Sequence, residues 1–401
     1  MPGPQKFLTD KTMRYVLALT SAFPPLSTDL YLPALPGMVT EFGTTQAQVN
    51  LTLSLFFICF AAAILFWGPM SDKYGRKPVL STGLVIYILS SAGCAMATDI
   101  TLLIVFRVCQ AFGGGAATAV STAVVKDHYT GKQREITLAV IMTMVIAAPV
   151  VAPLVGAFLL KFYSWRSVFW VLAGIGTLAL VLSGLLQETL DKDQRYTGSP
   201  LASVGRLVVV LRNPGFSFLF LIFSLLAMPM LGFIAASSFI YIQGFGLSEQ
   251  VFSFFFSFNA LCAMAGPMFC IRITRRFGPN VLITACYGFL AVTGLLVMMV
   301  GGLSPYILAL LVGPATFFIL ACRPPSASLM LEQQDRDTGS ASALINSGNM
   351  MMGSLGMFIL STDVEVLIPT LGLMQLAVGV VGGGLWLMVR KRKFIRQVPE
   401  T

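Results

Sequence analysis

The sequence predicts an all-α integral membrane protein of two six-helix bundles, and three observations carry that expectation. Of 401 residues, 56% are hydrophobic and 11% charged, with a mean hydropathy of +0.83, whereas a soluble domain carries about 25% charged residues. Twelve largely apolar runs reach the roughly 20 residues that a helix needs to cross a bilayer. They cover residues 13–35, 46–69, 78–97, 101–125, 135–160, 164–187, 216–243, 249–271, 279–302, 304–330, 338–361 and 366–389. Finally, the basic residues fall in alternate loops. Of 26 lysines and arginines, 22 lie at Lys6, Lys11 and Arg14, in every second loop, or in the tail Arg390-Lys391-Arg392-Lys393 to Arg396. Lys161 and Arg166 sit in the opposite loops, and Arg107 and Arg323 inside apolar runs. Loops rich in Lys and Arg stay inside, so both termini are expected in the cytoplasm. The net charge of +9 then reflects topology, with the tail as an anchor beside anionic lipid rather than an arm for nucleic acid.

Along the chain, the N-terminus has the basic start and apolar run of a signal peptide. Pro24, Pro25 and Asp29 interrupt that run and no clear A-x-A site follows, so it reads as a retained first helix. The turn Gly68-Pro69-Met70-Ser71-Asp72-Lys73-Tyr74-Gly75-Arg76-Lys77-Pro78 joins the second and third runs. Its single acid, Asp72, lies among three cations, which suits a latch against an Arg or a helix N-terminus. The longest inward loop, about 188–215, holds Glu188, Asp191, Lys192, Asp193, Arg195, Arg206 and Arg212. It divides the chain into bundles 1–190 and 216–401 with a linker at 191–215. Tyr74-Gly75 recurs as Phe277-Gly278 beside Arg272, Arg275 and Arg276, as expected of a repeat around a central cavity.

Of 17 acids, only Asp29 falls in the interior of an apolar run rather than at its first residue, and an ionisable group there marks function by default. It lies about 10 Å below the outer end of the first helix, and Arg107 about 9 Å below the start of the fourth, at 1.5 Å per residue. The two are expected to pair. Burial and a neighbouring cation pull the protonation of such an acid in opposite directions, which is what proton coupling requires.

These residues carry a resemblance. The Gly68–Pro78 turn resembles the G-x-x-x-D-R-x-G-R-[RK] loop of major facilitator superfamily transporters, with Lys73 in place of the first Arg. Thr28 through Pro36 closely resemble the [ST]-x-D-[ML]-Y-L-P-A-x-P pattern of the Bcr/CflA drug-resistance group. Arg107 to Gly115 are similar to R-x-x-Q-[AG]-x-G, which in that family is linked to proton transfer. Lys126-Asp127-His128-Tyr129 resembles [RK]-D-x-Y, and Glu188-Thr189-Leu190 resembles E-T-L. Ala148 to Gly156, with Pro149 and Pro153, resemble the antiporter motif in its A-P-x-x-A-P-x-x-G form, although Ala148 replaces the motif's first Gly. The resemblance implies twelve helices in two pseudo-symmetric halves, proton coupling through Asp29 and Arg107, and a conformational latch of Gly68, Asp72, Gly75 and Arg76. That latch is expected to close the inner side, against Thr338-Gly339-Ser340.

Other candidates follow from residue type. Tyr31, Gln110, Met142, Phe254, Asn259 and Arg323 are candidates for a substrate cavity, since Met and aromatic rings suit adaptable binding. The other residues of Phe252–Phe258 are expected to pack or face lipid. His128 is expected to be solvated. The seven cysteines form no C-x-x-C pair, so neither a disulfide framework nor a metal site is expected. No G-x-x-x-x-G-K-[ST] is present, so the expected energy source is the proton gradient, without a cofactor or ATP. The expected protein is no enzyme. It is a monomeric multi-pass exporter of the bacterial inner membrane that moves amphipathic drugs such as bicyclomycin, amphenicols or sulfonamides. The alternative is carriage of a metabolite such as a nucleoside or amino acid, possibly as a proton symporter.

Overall fold

A computed structural model describes residues 9–191, 193, 195–196, 200–334, 338–392 and 395–396. Lys6, Lys192 and Lys393 lie outside these, as do the side chains of Arg206 and Thr338. Helices dominate, and no strand occurs among the described residues. In chain order they are α1 (Asp10–Ser21), α2 (Phe23–Asp29), α3 (Leu35–Glu41), α4 (Gln46–Tyr74), α5 (Arg76–Ala95), α6 (Ile100–His128), α7 (Gly131–Phe162), α8 (Arg166–Gly184) and α9 (Pro200–Leu211). Then come α10 (Pro214–Ser224), α11 (Ala227–Ser238), α12 (Glu249–Phe277), α13 (Pro279–Val300), α14 (Pro305–Glu332), α15 (Thr338–Ile359) and α16 (Val364–Val389). Side-chain caps start several of them: Thr45, Asp99, Asn213 and Ser248 each accept from the backbone N–H three residues on, satisfying donors that a helix N-terminus leaves open.

The chain divides into two compact units, Met1–Ser203 and Val204–Thr401, with the division inside the expected linker. That linker is not wholly irregular, because α9 occupies part of it. Inside the first unit α5 packs on α6 and α8, α4 on α6, and α1 on α7. The second unit repeats the scheme, with α13 on α14 and α16, α12 on α14, and α11 on α15. The sequence repeat also recurs as backbone: Gly75 (φ 103°, ψ 159°) ends α4 and Gly278 (φ 78°, ψ 158°) ends α12. Both adopt positive φ, which glycine alone enters without strain.

Among the described residues, ten helical stretches are long and apolar enough to span a membrane. The remaining two expected spans differ for identifiable reasons. In α15, Ser340, Ser342, Asn346 and Asn349 dilute the apolar character. The first expected helix is broken into α1, α2, a 3-10 turn at Leu32–Ala34, and α3. Pro24, Pro25, Pro33 and Pro36 each remove a backbone donor and restrict the preceding residue, so new segments start at Pro24-Pro25, at Pro33 and at Pro36. The seventh span is likewise divided, into α10, α11 and a π turn at Phe239–Gly244.

Candidate functional site

In the first unit a polar cluster is built into apolar surroundings, and its centre is Arg107 on α6, fully buried. Its Nη1 donates to the Ser27 carbonyl (2.9 Å) and to Gln110 Oε1 (2.7 Å), and its Nε to the Thr52 carbonyl (3.3 Å). The third nitrogen, Nη2, has no hydrogen-bond partner. The guanidinium carbon lies 4.3 Å from the centre of the Phe56 ring, 5.1 Å from Tyr31 and 5.9 Å from Phe169, so aromatic faces supply part of the stabilisation that lost hydration removes. The break after α2 explains why a carbonyl is available. The Tyr31 N–H turns to the Thr28 carbonyl (3.2 Å), which leaves the Ser27 oxygen open for Arg107 as an orphan of the helix end.

The expected Asp29–Arg107 pair is not formed: no ion pair joins them among the described residues. Asp29 is 3% exposed and its Oδ1 accepts from the Thr28 hydroxyl at 2.9 Å. Asp29 and Ser27 are two residues apart, about 200° around the helix at 3.6 residues per turn. When the Ser27 carbonyl meets Arg107, the Asp29 side chain is directed away. Matching depth was legible in the sequence; azimuth was not.

Around this centre, the Tyr31 hydroxyl bonds Thr52 Oγ1 (3.1 Å), and Gln110 Nε2 donates to Ser91 Oγ (2.7 Å). Tyr31 and Gln110 are therefore fully buried members of the Arg107 cluster. Gly156 of α7 packs on the backbone of Leu30, where a Cβ would collide with the Leu30 carbonyl. The helix that carries Pro149, Pro153 and Gly156 thus braces the segment that carries Asp29. The helix runs unbroken through both prolines.

A second cluster forms at the Gly75 turn. Arg76 donates through Nε to Asp127 (2.7 Å) and through Nη1 to Asp72 (2.6 Å) and Ser71 Oγ (2.7 Å). The Asp127 side chain is 17% exposed and that of Asp72 54%. Glu188 closes the start of α5: its carboxylate accepts from the backbone N–H of Arg76 (2.9 Å), Lys77 (3.2 Å), Thr189 (3.0 Å) and Leu190 (3.1 Å), where the helix dipole favours an anion. Gly75 is required here twice over, because a Cβ would meet Glu188 and Arg195. At Gly68 nothing lies within 4 Å of an added Cβ.

The other candidates are dispersed. Met142 and Phe254 are exposed, Arg323 is exposed on α14, and Asn259 of α12 is buried with its Oδ1 unpartnered. Met142 belongs to the first unit, and Phe254, Asn259 and Arg323 to the second. His128 is not solvated: its side chain is 10% exposed, with Nε2 3.7 Å from Asp10 and its ring edge-on to Tyr129. Sequence motifs also missed Ser27, Thr52, Tyr87 and Ser91. The only signal for them was a polar residue inside an apolar run. Asp127 and Glu188 were noticed as motif members, but their roles emerged only from the fold.

These features are those of a transporter, and comparison with known proteins settles the class. Residues 17–357 match the family model described as Major Facilitator Superfamily: the chain belongs to the major facilitator superfamily, whose members are transporters rather than enzymes. Within it, the relatives are of the Bcr/CflA drug-resistance type. An uncharacterised MFS-type transporter of Bacillus subtilis, YdgK, is 28% identical over 92% of this chain and 93% of its own. A bicyclomycin resistance protein homolog of Haemophilus influenzae is 26% identical over 88% and 90%, and the multidrug resistance protein MdtL of Shigella flexneri is 32% identical over 44% and 45%. The fold matches a solved D-xylose-proton symporter with a TM-score of 0.75 at 13% identity, over 93% of this chain and 97% of that one.

Proposed function

We propose that this transporter exports amphipathic drugs or small metabolites across the bacterial inner membrane in exchange for protons, as a monomer with both termini in the cytoplasm. The observation that carries the reading is Asp29: a buried carboxyl in the broken first helix, two residues from the carbonyl that Arg107 holds. An ionised Asp29 competes with the Ser27 carbonyl for Arg107, whose Nη2 is unpartnered; a protonated Asp29 does not. Protonation from outside thereby changes what α2 presents to α6, and inward release of the proton reverses it. The electrostatic term is large enough to matter, because an uncompensated charge in the membrane interior costs several kcal/mol. Asp72, half exposed and tethered through Arg76, is the conformational latch of the cycle. The relatives named for bicyclomycin and multidrug resistance support export and point to amphipathic antibiotics as substrates.

The test uses purified protein in liposomes with an internal pH dye, challenged with amphenicols, sulfonamides and nucleosides. Proton movement opposite to the added compound, lost in Asp29→Asn, is the expected result. Movement in the same direction would make the protein a symporter. Unaltered gradient-driven transport in Asp29→Asn would remove Asp29 from the mechanism.

A further inference from the structure

The first membrane helix of each unit is broken, and in each a tyrosine hydroxyl from the unit's third membrane helix reaches that break. In the first unit Tyr87 of α5 shares a 2.6 Å hydrogen bond with Ser27 Oγ on α2. Its ring stacks on Phe23 at 4.5 Å, and Gly176 of α8 leaves room for it. In the second unit Tyr287 of α13 donates to the Ile222 carbonyl of α10 at 2.8 Å, and Gly382 of α16 makes the matching room. The backbone at the two sites is alike. The Leu226 N–H, which would close the next helical turn on Ile222, goes instead to the Phe223 carbonyl (3.3 Å), just as the Tyr31 N–H goes to Thr28 rather than Ser27. Both breaks therefore leave an orphan carbonyl. One is taken by Tyr287 directly, and the other by Arg107 beside the Tyr87–Ser27 bond. Tyr87 and Tyr287 are both about 1% exposed or less, so nothing in solvent replaces their hydroxyls.

We propose that Tyr87 and Tyr287 are positioning residues that hold the broken first helix of each unit at its hinge, and that Tyr87 fixes the rotation of α2. The consequence for coupling rests on the proton-exchange reading above; the hinge itself does not. With the Tyr87–Ser27 bond made, Ser27 faces α5 and α6 and Asp29 is turned away. To bring Asp29 to Arg107, α2 must turn by about half a revolution, and that bond must break. Tyr87 is thus a hold on the movement that Asp29 protonation drives. The occurrence of the same device at the α10–α11 break argues against a chance contact.

The test combines two readouts on the full chain in nanodiscs or liposomes. Hydrogen–deuterium exchange is compared for wild type, Tyr87→Phe, Ser27→Ala, the double variant and Tyr287→Phe. Phenylalanine keeps the ring packing and removes only the hydroxyl. Tyr87→Phe and Ser27→Ala should each speed exchange at residues 26–31 about fivefold, the factor that one net hydrogen bond contributes. The double variant should be no faster than either single. Tyr287→Phe should leave that segment alone and speed residues 224–228 by a similar factor. Unchanged exchange at 26–31, or a rise spread evenly over α5 and α6, overturns the hinge assignment. In the second readout, with chloramphenicol as the probe, Tyr87→Phe should reduce proton-gradient-driven movement several-fold while exchange at equal pH keeps its rate. A parallel fall in both overturns the role in coupling. If wild type shows no gradient-driven movement, the proton reading fails, while the exchange data still decide the hinge.

Discussion

Arg76 holds two carboxylates that differ in burial, and that difference predicts that one supports the fold while the other serves the cycle. Asp127 is 17% exposed and receives the Arg76 Nε at 2.7 Å; Asp72 is 54% exposed and receives Nη1 at 2.6 Å. The perturbation is Asp→Asn at each, which removes charge and keeps shape. For Asp127 the loss is a largely buried charge-assisted bond, about 2 kcal/mol. Asp72 loses an i,i+4 pair in mostly aqueous surroundings, about 0–1 kcal/mol. For a unit of this size about 1 kcal/mol moves Tm by roughly 2–4 °C. Asp127→Asn should therefore melt about 4–8 °C below wild type in detergent, and Asp72→Asn no more than about 4 °C below it. In liposomes Asp72→Asn should nonetheless slow turnover while substrate affinity holds. Equal Tm losses at the two positions would refute the argument from burial, and collapse of affinity in Asp72→Asn would refute the latch.

Three further outcomes follow from the packing. Gly156→Ala should lower Tm by several degrees and impair transport, because even one methyl meets the Leu30 backbone, a contact that cannot rotate away; a wild-type melt would show that α7 does not brace α2. Gly75→Ala should be destabilising by about 1–3 kcal/mol, since it adds a Cβ both to a positive-φ turn and to the space filled by Glu188, and a thermal melt reads this directly. Gly68→Ala meets nothing within its own unit, so Tm should stay within about 2 °C. If Gly68 belongs to the moving latch, turnover falls all the same, and unchanged turnover would strike it from that set.

The sequence alone determined the class of protein. Long apolar runs, one acid among them, and cations in alternate loops admit few solutions, because unpaired backbone and charge are both prohibitive in lipid. The turn at Gly75 and its echo at Gly278 were equally plain, since positive φ selects glycine. The first span, expected as one helix over 13–35, is instead broken at Pro24-Pro25, Pro33 and Pro36, and where the helix resumes is set only by the fold. What only the tertiary structure decided was direction. Asp29 and Arg107 sit at comparable depth, yet the rotation of a seven-residue helix turns a carbonyl, not the carboxylate, toward the guanidinium. Likewise Glu188 meets the start of α5 from 112 positions away, and Tyr87 meets Ser27 from 60. Periodicity places a residue along a helix to within a turn. The angle at which that helix is held depends on contacts with other helices, and those exist only once the bundle has packed.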